Sequence, residues 1–128
     1  MTTGLASAEA NELLDAYLNG GTLTAPTNFW VKLHVGDPGS AGTSNAATET
    51  TRKEATFGAA SGGVSSNDNE IQWTNVSTSE DYTHCSIWTA SSGGTFLGSG
   101  TITANAVTAA DTFTIAVGGL DFALTVAA

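Results

Sequence analysis

From residue 29 onward the chain alternates apolar and polar residues with a period of two, in short runs cut by glycine. In the segment FWVKLHV, Phe29, Val31, Leu33 and Val35 share one face, and Trp30, Lys32 and His34 share the other. That spacing is a half-buried β-strand, because successive side chains of a strand point to opposite sides. Further strands are expected over 51–57, 70–76, 83–90, 95–103, 111–117 and 120–126. Ser91-Ser92-Gly93-Gly94 predicts a hairpin between 83–90 and 95–103, and Gly118-Gly119 predicts another between the last two strands. No helices alternate with these runs, which argues against a parallel sheet. The expected fold is mainly β: an antiparallel β-sandwich or barrel of about seven strands.

One helix precedes them. Ala10, Leu13, Leu14, Tyr17 and Leu18 form an apolar stripe at helical spacing over 7–18. Ser7 is positioned to cap its start, Glu9 lies in the first turn where the helix dipole favours an acid, and Asn19-Gly20-Gly21 stops it. A helix this short is marginal alone, so its stripe is expected to dock on the fold or on a neighbour. The chain of 128 residues reads as a single domain, 1–128, with a helical arm over 1–28 and a β-sandwich over 29–128.

Charge narrows the function classes. Only 12% of residues are charged, the net charge is −9, and Lys32, Arg52 and Lys53 are the only basic residues besides two histidines. A nucleic acid partner would need a basic patch that this chain cannot form, and an anionic membrane surface is disfavoured for the same reason. No apolar run approaches a membrane span, and no signal peptide is visible at the N-terminus. Short polar side chains such as Ser and Thr lose little entropy when a surface becomes an interface, which hints at assembly.

No residue set carries evident chemistry. His34 and His84 are separated and have one cysteine, Cys85, for company, so no zinc ligand set forms. Cys85 follows His84 directly and points to the opposite strand face, so the two are not a nucleophile and its base. A single cysteine also excludes an internal disulfide, and Cys85 reads as a buried apolar residue. Asn67-Asp68-Asn69-Glu70 lacks the glycine and glutamate of a calcium loop. Glu80-Asp81 reads as a solvated pair. The glycine pairs 62–63 and 93–94 lack the helix start and lysine that cradle phosphate. Trp30, Trp73 and Trp88 lie in separate strands, either in the core or facing a partner. The expectation is no enzyme, with no catalytic, cofactor-binding or metal residues and no cofactors.

Two polar segments, 36–50 and 58–69, exceed ten residues each and are expected as loops. Loops of that length in a small domain tend to be functional. In the first, Gly36-Asp37-Pro38-Gly39 is expected to turn the strand out into an arm that makes contact.

The motifs "FWVKLHVGDPGSAGTSNAATETTRKEATF", "THCSIWTASSGGTFLGSGTIT" and "DTFTIAVGGLDFAL" resemble a family of small virion proteins of tailed phages, especially those infecting actinobacteria. The family pattern L-H-x-G-D-P-G-x-x-G falls on Leu33 to Gly39 with Gly42. Its basic strand falls on Arg52, its T-H motif on Thr83-His84 with Ile87-Trp88, and its G-G-x-F-L motif on Gly93 to Leu97 with Gly100. An aromatic often precedes the family's basic residue, whereas Thr51 stands there in this chain.

The resemblance implies a phage virion structural protein. The leading expectation is a capsid decoration protein on the outer capsid surface, made in the host cytoplasm, that bridges subunits of the major capsid protein. It would be a homo-oligomer, with a trimer one option. The N-terminal helix over 7–18 and the 36–50 loop are the expected contact elements. The alternative is a minor tail or tail-fibre protein touching the host surface with exposed tryptophans and loop tips.

Overall fold

The computed structural model describes residues 3–127; Met1 and Thr2 of the expected arm, and Ala128, lie outside them. One helix, α1 (Ser7–Leu18), precedes eight strands. These are β1 (Phe29–His34), β2 (Lys53–Ala55), β3 (Val64–Ser66), β4 (Ile71–Trp73), β5 (Glu80–Trp88), β6 (Phe96–Val107), β7 (Phe113–Ile115) and β8 (Asp121–Ala123). A four-stranded antiparallel sheet has the order β2-β1-β5-β6, and two antiparallel pairs, β3-β8 and β4-β7, face it. The arrangement is sandwich-like and does not close into a barrel.

The core follows from the alternation. Val31 and Leu33 of β1 and Cys85 and Ile87 of β5 point inward and meet Ile71, Trp73, Phe113 and Ile115 from β4 and β7. Phe113 packs against both Trp73, at 5.7 Å between ring centroids, and Tyr82, at 5.1 Å. Aromatic edges and faces at these distances add attraction beyond burial alone.

The β5–β6 hairpin forms as expected. The second expected hairpin does not: β7 pairs with β4 and β8 with β3, so the strands flanking Gly118-Gly119 part company. The buried side chain of Asn67 explains it. Its Nδ2 donates to the Ala116 carbonyl at 3.0 Å, its Oδ1 accepts the Leu120 N–H at 2.8 Å, and its own carbonyl accepts the Gly118 N–H at 2.9 Å. The turn closes through the Gly119 N–H on the Ala116 carbonyl at 2.9 Å, but its remaining backbone groups bond to Asn67, so the strands on either side do not pair. Strand β3 rises within 58–69, whose polar composition marked it as a loop, because β8 supplies its ladder partner.

Helix α1 departs from expectation twice. Its N-cap is Ala6, and Ser7 makes no capping bond. None of its residues is buried: Leu14 is 57% exposed, Tyr17 89% and Leu18 73%. Leu14, Tyr17 and Leu18 of the stripe thus have no cover from their own chain, while Ala10 is half-buried. The end of the helix is as expected, with the Gly21 N–H bonded to the Asp15 carbonyl at 3.0 Å.

Candidate functional site

Three surfaces and one buried network are available for function, and the network sets the shape of the first surface. The loop over 36–50 does not project as an arm. It folds back on the end of β1, where the Val35 N–H meets the Asn45 carbonyl at 2.9 Å and the Ala47 N–H meets the Leu33 carbonyl at 3.1 Å. Asp37 Oδ1 accepts the Gly39 N–H at 2.8 Å, which makes the local turn, and Pro38 is fully buried. Gly42 has φ +69°, and a Cβ there would lie 2.3 Å from the Phe96 ring. Only glycine lets the loop lie this flat on the hairpin. Glu80 holds the far end, its two carboxylate oxygens accepting the Thr48 N–H at 2.9 and 3.0 Å.

Beneath the loop runs a polar relay. His34 is fully buried, its Nδ1 is 2.8 Å from the Ser44 carbonyl, and its Nε2 is 2.8 Å from Ser86 Oγ. A carbonyl only accepts, so Nδ1 carries the proton and Nε2 accepts from the Ser86 hydroxyl. Ser86 Oγ in turn accepts the Trp88 indole N–H at 2.8 Å. Every polar atom of the relay is paired. Burial pushes the His34 pKa below the ordinary histidine value and outweighs the raising effect of the Ser44 carbonyl, so the ring stays neutral. A serine bonded to a histidine resembles a nucleophile with its base, yet both side chains are sealed under the loop. The pair ties loop to sheet.

Arg52 finishes that end of the sheet. Its guanidinium stacks over Trp88 at 4.2 Å, and one nitrogen donates to the Ala90 and Gly93 carbonyls at 2.7 Å each. It clamps the β5–β6 turn. Thr51, before it, offers its carbonyl to the Trp73 indole at 2.7 Å. Trp73 and Trp88 are buried and Trp30 is half-buried, so no exposed tryptophan platform for host contact forms among the described residues.

The remaining sequence candidates also fall into structural places. His84 pairs with His34 across β1 and β5, and its Nδ1 is 2.8 Å from Thr83 Oγ1. Cys85 is buried in the core and burial pushes its thiol up to about 12. Asn69 latches β2 to the facing layer, accepting the Thr56 N–H at 2.9 Å and donating to the Glu54 carbonyl at 3.0 Å. No group of three His, Cys, Asp or Glu able to hold a metal ion exists among the described residues. The amides Asn67 and Asn69 were legible only as turn formers; their long-range latching leaves no sequence signal.

The second surface is the outer face of α1, with Leu14, Tyr17 and Leu18 exposed and Glu9, Glu12 and Asp15 along the same helix. The helix is held by its neighbours in sequence. The Ala6 N–H reaches the Leu97 carbonyl at 2.8 Å, and Glu12 accepts the Thr24 N–H at 2.7 Å. A shallow apolar groove of about 150 Å³, lined by Leu5, Leu13, Leu23, Phe29 and Phe122, lies under its inner edge. The third surface is the open edge of β6.

The sequence matches, over residues 4–123, a family described as "Podophage GP4 fiber I protein gp80". Comparison with curated proteins gives no match.

Proposed function

The chain belongs to the podophage GP4 fiber I protein gp80 family and is a phage virion structural protein, and on that premise we propose that it is a fibre-type subunit mounted on the virion through α1. The observation that carries the mounting role is the bare stripe of α1. The β-body completes its own core, and Leu14, Tyr17 and Leu18 contribute nothing to it. A soluble protein that keeps three large apolar side chains in one row in water gains by covering them on assembly. Three acids on the helix and none of the three Lys and Arg residues favour a virion partner with an apolar floor and basic rim. The protein works by adhesion in this reading, and neither catalysis nor a cofactor is needed.

A second reading is capsid decoration, with the major capsid protein as the partner of α1. What favours it is shape: the described residues make a short β-body with no coiled coil and no fibrous repeat. Location and copy number separate the two. Quantitative mass spectrometry of purified particles, with labelled-antibody electron microscopy, is expected to find a few copies at the tail or its collar. A copy number that matches the shell lattice supports decoration instead. Leu14→Asp with Tyr17→Asp is expected to leave the β-body folded and to abolish incorporation into particles. Full incorporation of that variant would remove α1 from both readings.

A further inference from the structure

We propose that the outer edge of β6 is a self-association surface, on which a second copy of this chain lays its own β6 antiparallel and continues the four-stranded sheet. The inference goes beyond the virion reading, because it concerns how copies of the chain meet each other.

β6 is the last strand of its sheet and runs for 12 residues, FLGSGTITANAV, with no charge and no proline. Soluble proteins protect long edges with lysine, proline, bulges or a covering segment, since a free row of N–H and C=O groups pairs with any available strand. The opposite edge is protected in these ways: β2 is three residues long, carries Lys53, and has Asn69 bonded to the Glu54 carbonyl and the Thr56 N–H. On β6 the first stretch is covered, and beyond it the protection is a single register slip against β5 between Thr101 and Asn105. The Ser99 N–H bonds to the Gly4 carbonyl at 2.8 Å and the Leu97 carbonyl accepts from Ala6. Gly98 makes that approach possible, because a Cβ there would stand 2.9 Å from the Gly4 carbonyl oxygen.

Beyond this segment the cover ends. The two-residue period carries the outward direction from Leu97 and Ser99 to Thr101, whose backbone N–H has no partner among the described residues. The strand therefore has both a filled and an open half, and the open half is a template for addition.

Charge decides the occupant. The chain carries −9, so two copies repel wherever acids face each other. From Tyr82 to Ala110, which spans all of β6 and all of β5 except its first two residues, Glu80 and Asp81, there is no Asp, Glu, Lys or Arg. Here copies meet without that repulsion, and a charged partner finds nothing to recognise. The α1 face differs, since its Glu9, Glu12 and Asp15 oppose a second α1. The open edge also presents Thr101 and Thr103, whose cross-strand pairing is favourable. Beside it lies a groove of about 190 Å³ between β6 and β7, lined by Ile102, Thr103, Phe113, Ile115 and Gly119, with room for side chains of the incoming strand.

The test is sedimentation equilibrium of the full chain, wild type against Thr101→Pro and Thr103→Lys. Proline at 101 removes an N–H that no group of the same chain uses, and lysine at 103 places the missing gatekeeper beside the edge. The wild type is expected to dimerise, with little dependence on salt. Each variant is expected to weaken the dimer by roughly tenfold or more, the equivalent of one or two ladder hydrogen bonds. Far-ultraviolet circular dichroism and the melting temperature of the monomer should be unchanged; if Thr101→Pro does not fold, Thr103→Lys decides alone. A monomeric wild type, or a dimer that survives in the folded variants, overturns the proposal. The particle experiments above are read separately, so either reading can fail without the other.

Discussion

Replacing Ser86 with alanine tests whether the buried relay, rather than loop sequence alone, holds the 36–50 segment in place. Ser86 is fully buried and its hydroxyl serves two partners, accepting from the Trp88 indole and donating to His34 Nε2, both at 2.8 Å. Alanine removes one oxygen and leaves a buried donor and a buried acceptor with nothing to bond. Each such orphan costs about 1–3 kcal/mol, so a total loss of about 2–6 kcal/mol is expected. For a chain of this length that lowers the melting temperature by roughly 8–24 °C. Urea unfolding followed by tryptophan fluorescence gives the number directly, with an unchanged slope confirming the same two end states. Ser92→Ala, exposed in the β5–β6 turn, is the control and should stay within about 0.5 kcal/mol of wild type. A Ser86→Ala cost as small as the control's would refute the relay as the fastening.

Two further outcomes follow from the same end of the sheet. His34 is held neutral with a lowered pKa, by burial first and then by the nearby Lys32 and His84 charges, against the Ser44 and Asn45 backbone bonds. The unfolded chain binds a proton at about pH 6.5, above the folded value, so stability rises with pH in that window. The contribution is complete above about pH 6.5 and lost as pH falls through the lowered folded value; urea midpoints from roughly pH 7.5 to roughly pH 5 should fall, and less steeply in His34→Gln. Gly42→Ala meets both a positive φ and the Phe96 ring and is expected to cost about 2–4 kcal/mol, whereas Gly62→Ala, at φ +60° with open space around it, should cost about 1 kcal/mol in the same melts.

The strand period of two and the glycine stops made the β architecture, the helix span and the β5–β6 hairpin readable from residues alone. Val31, Leu33, Cys85 and Ile87 are inward because alternation puts them there, and one buried face is enough to fix a strand's register. The absence of a basic patch was equally plain, since no folding can create lysines. What failed was partner choice. Gly118-Gly119 has hairpin chemistry, but the amide of Asn67, which lies 49 residues from Ala116, takes the turn's backbone groups first. The 36–50 segment has the composition of an arm and is instead drawn down by Pro38, Gly42 and the His34 relay. Its fastening atoms come from β1, β5 and the loop itself, and no local pattern links them.

The sequence by itself determined which side chains face each way along each strand, because that depends only on neighbours one and two positions apart. The tertiary structure alone decided which surfaces remain bare, namely the α1 stripe and the open half of β6. Exposure depends on what distant segments cover, and a stripe that could have docked looks the same in sequence as one that does not.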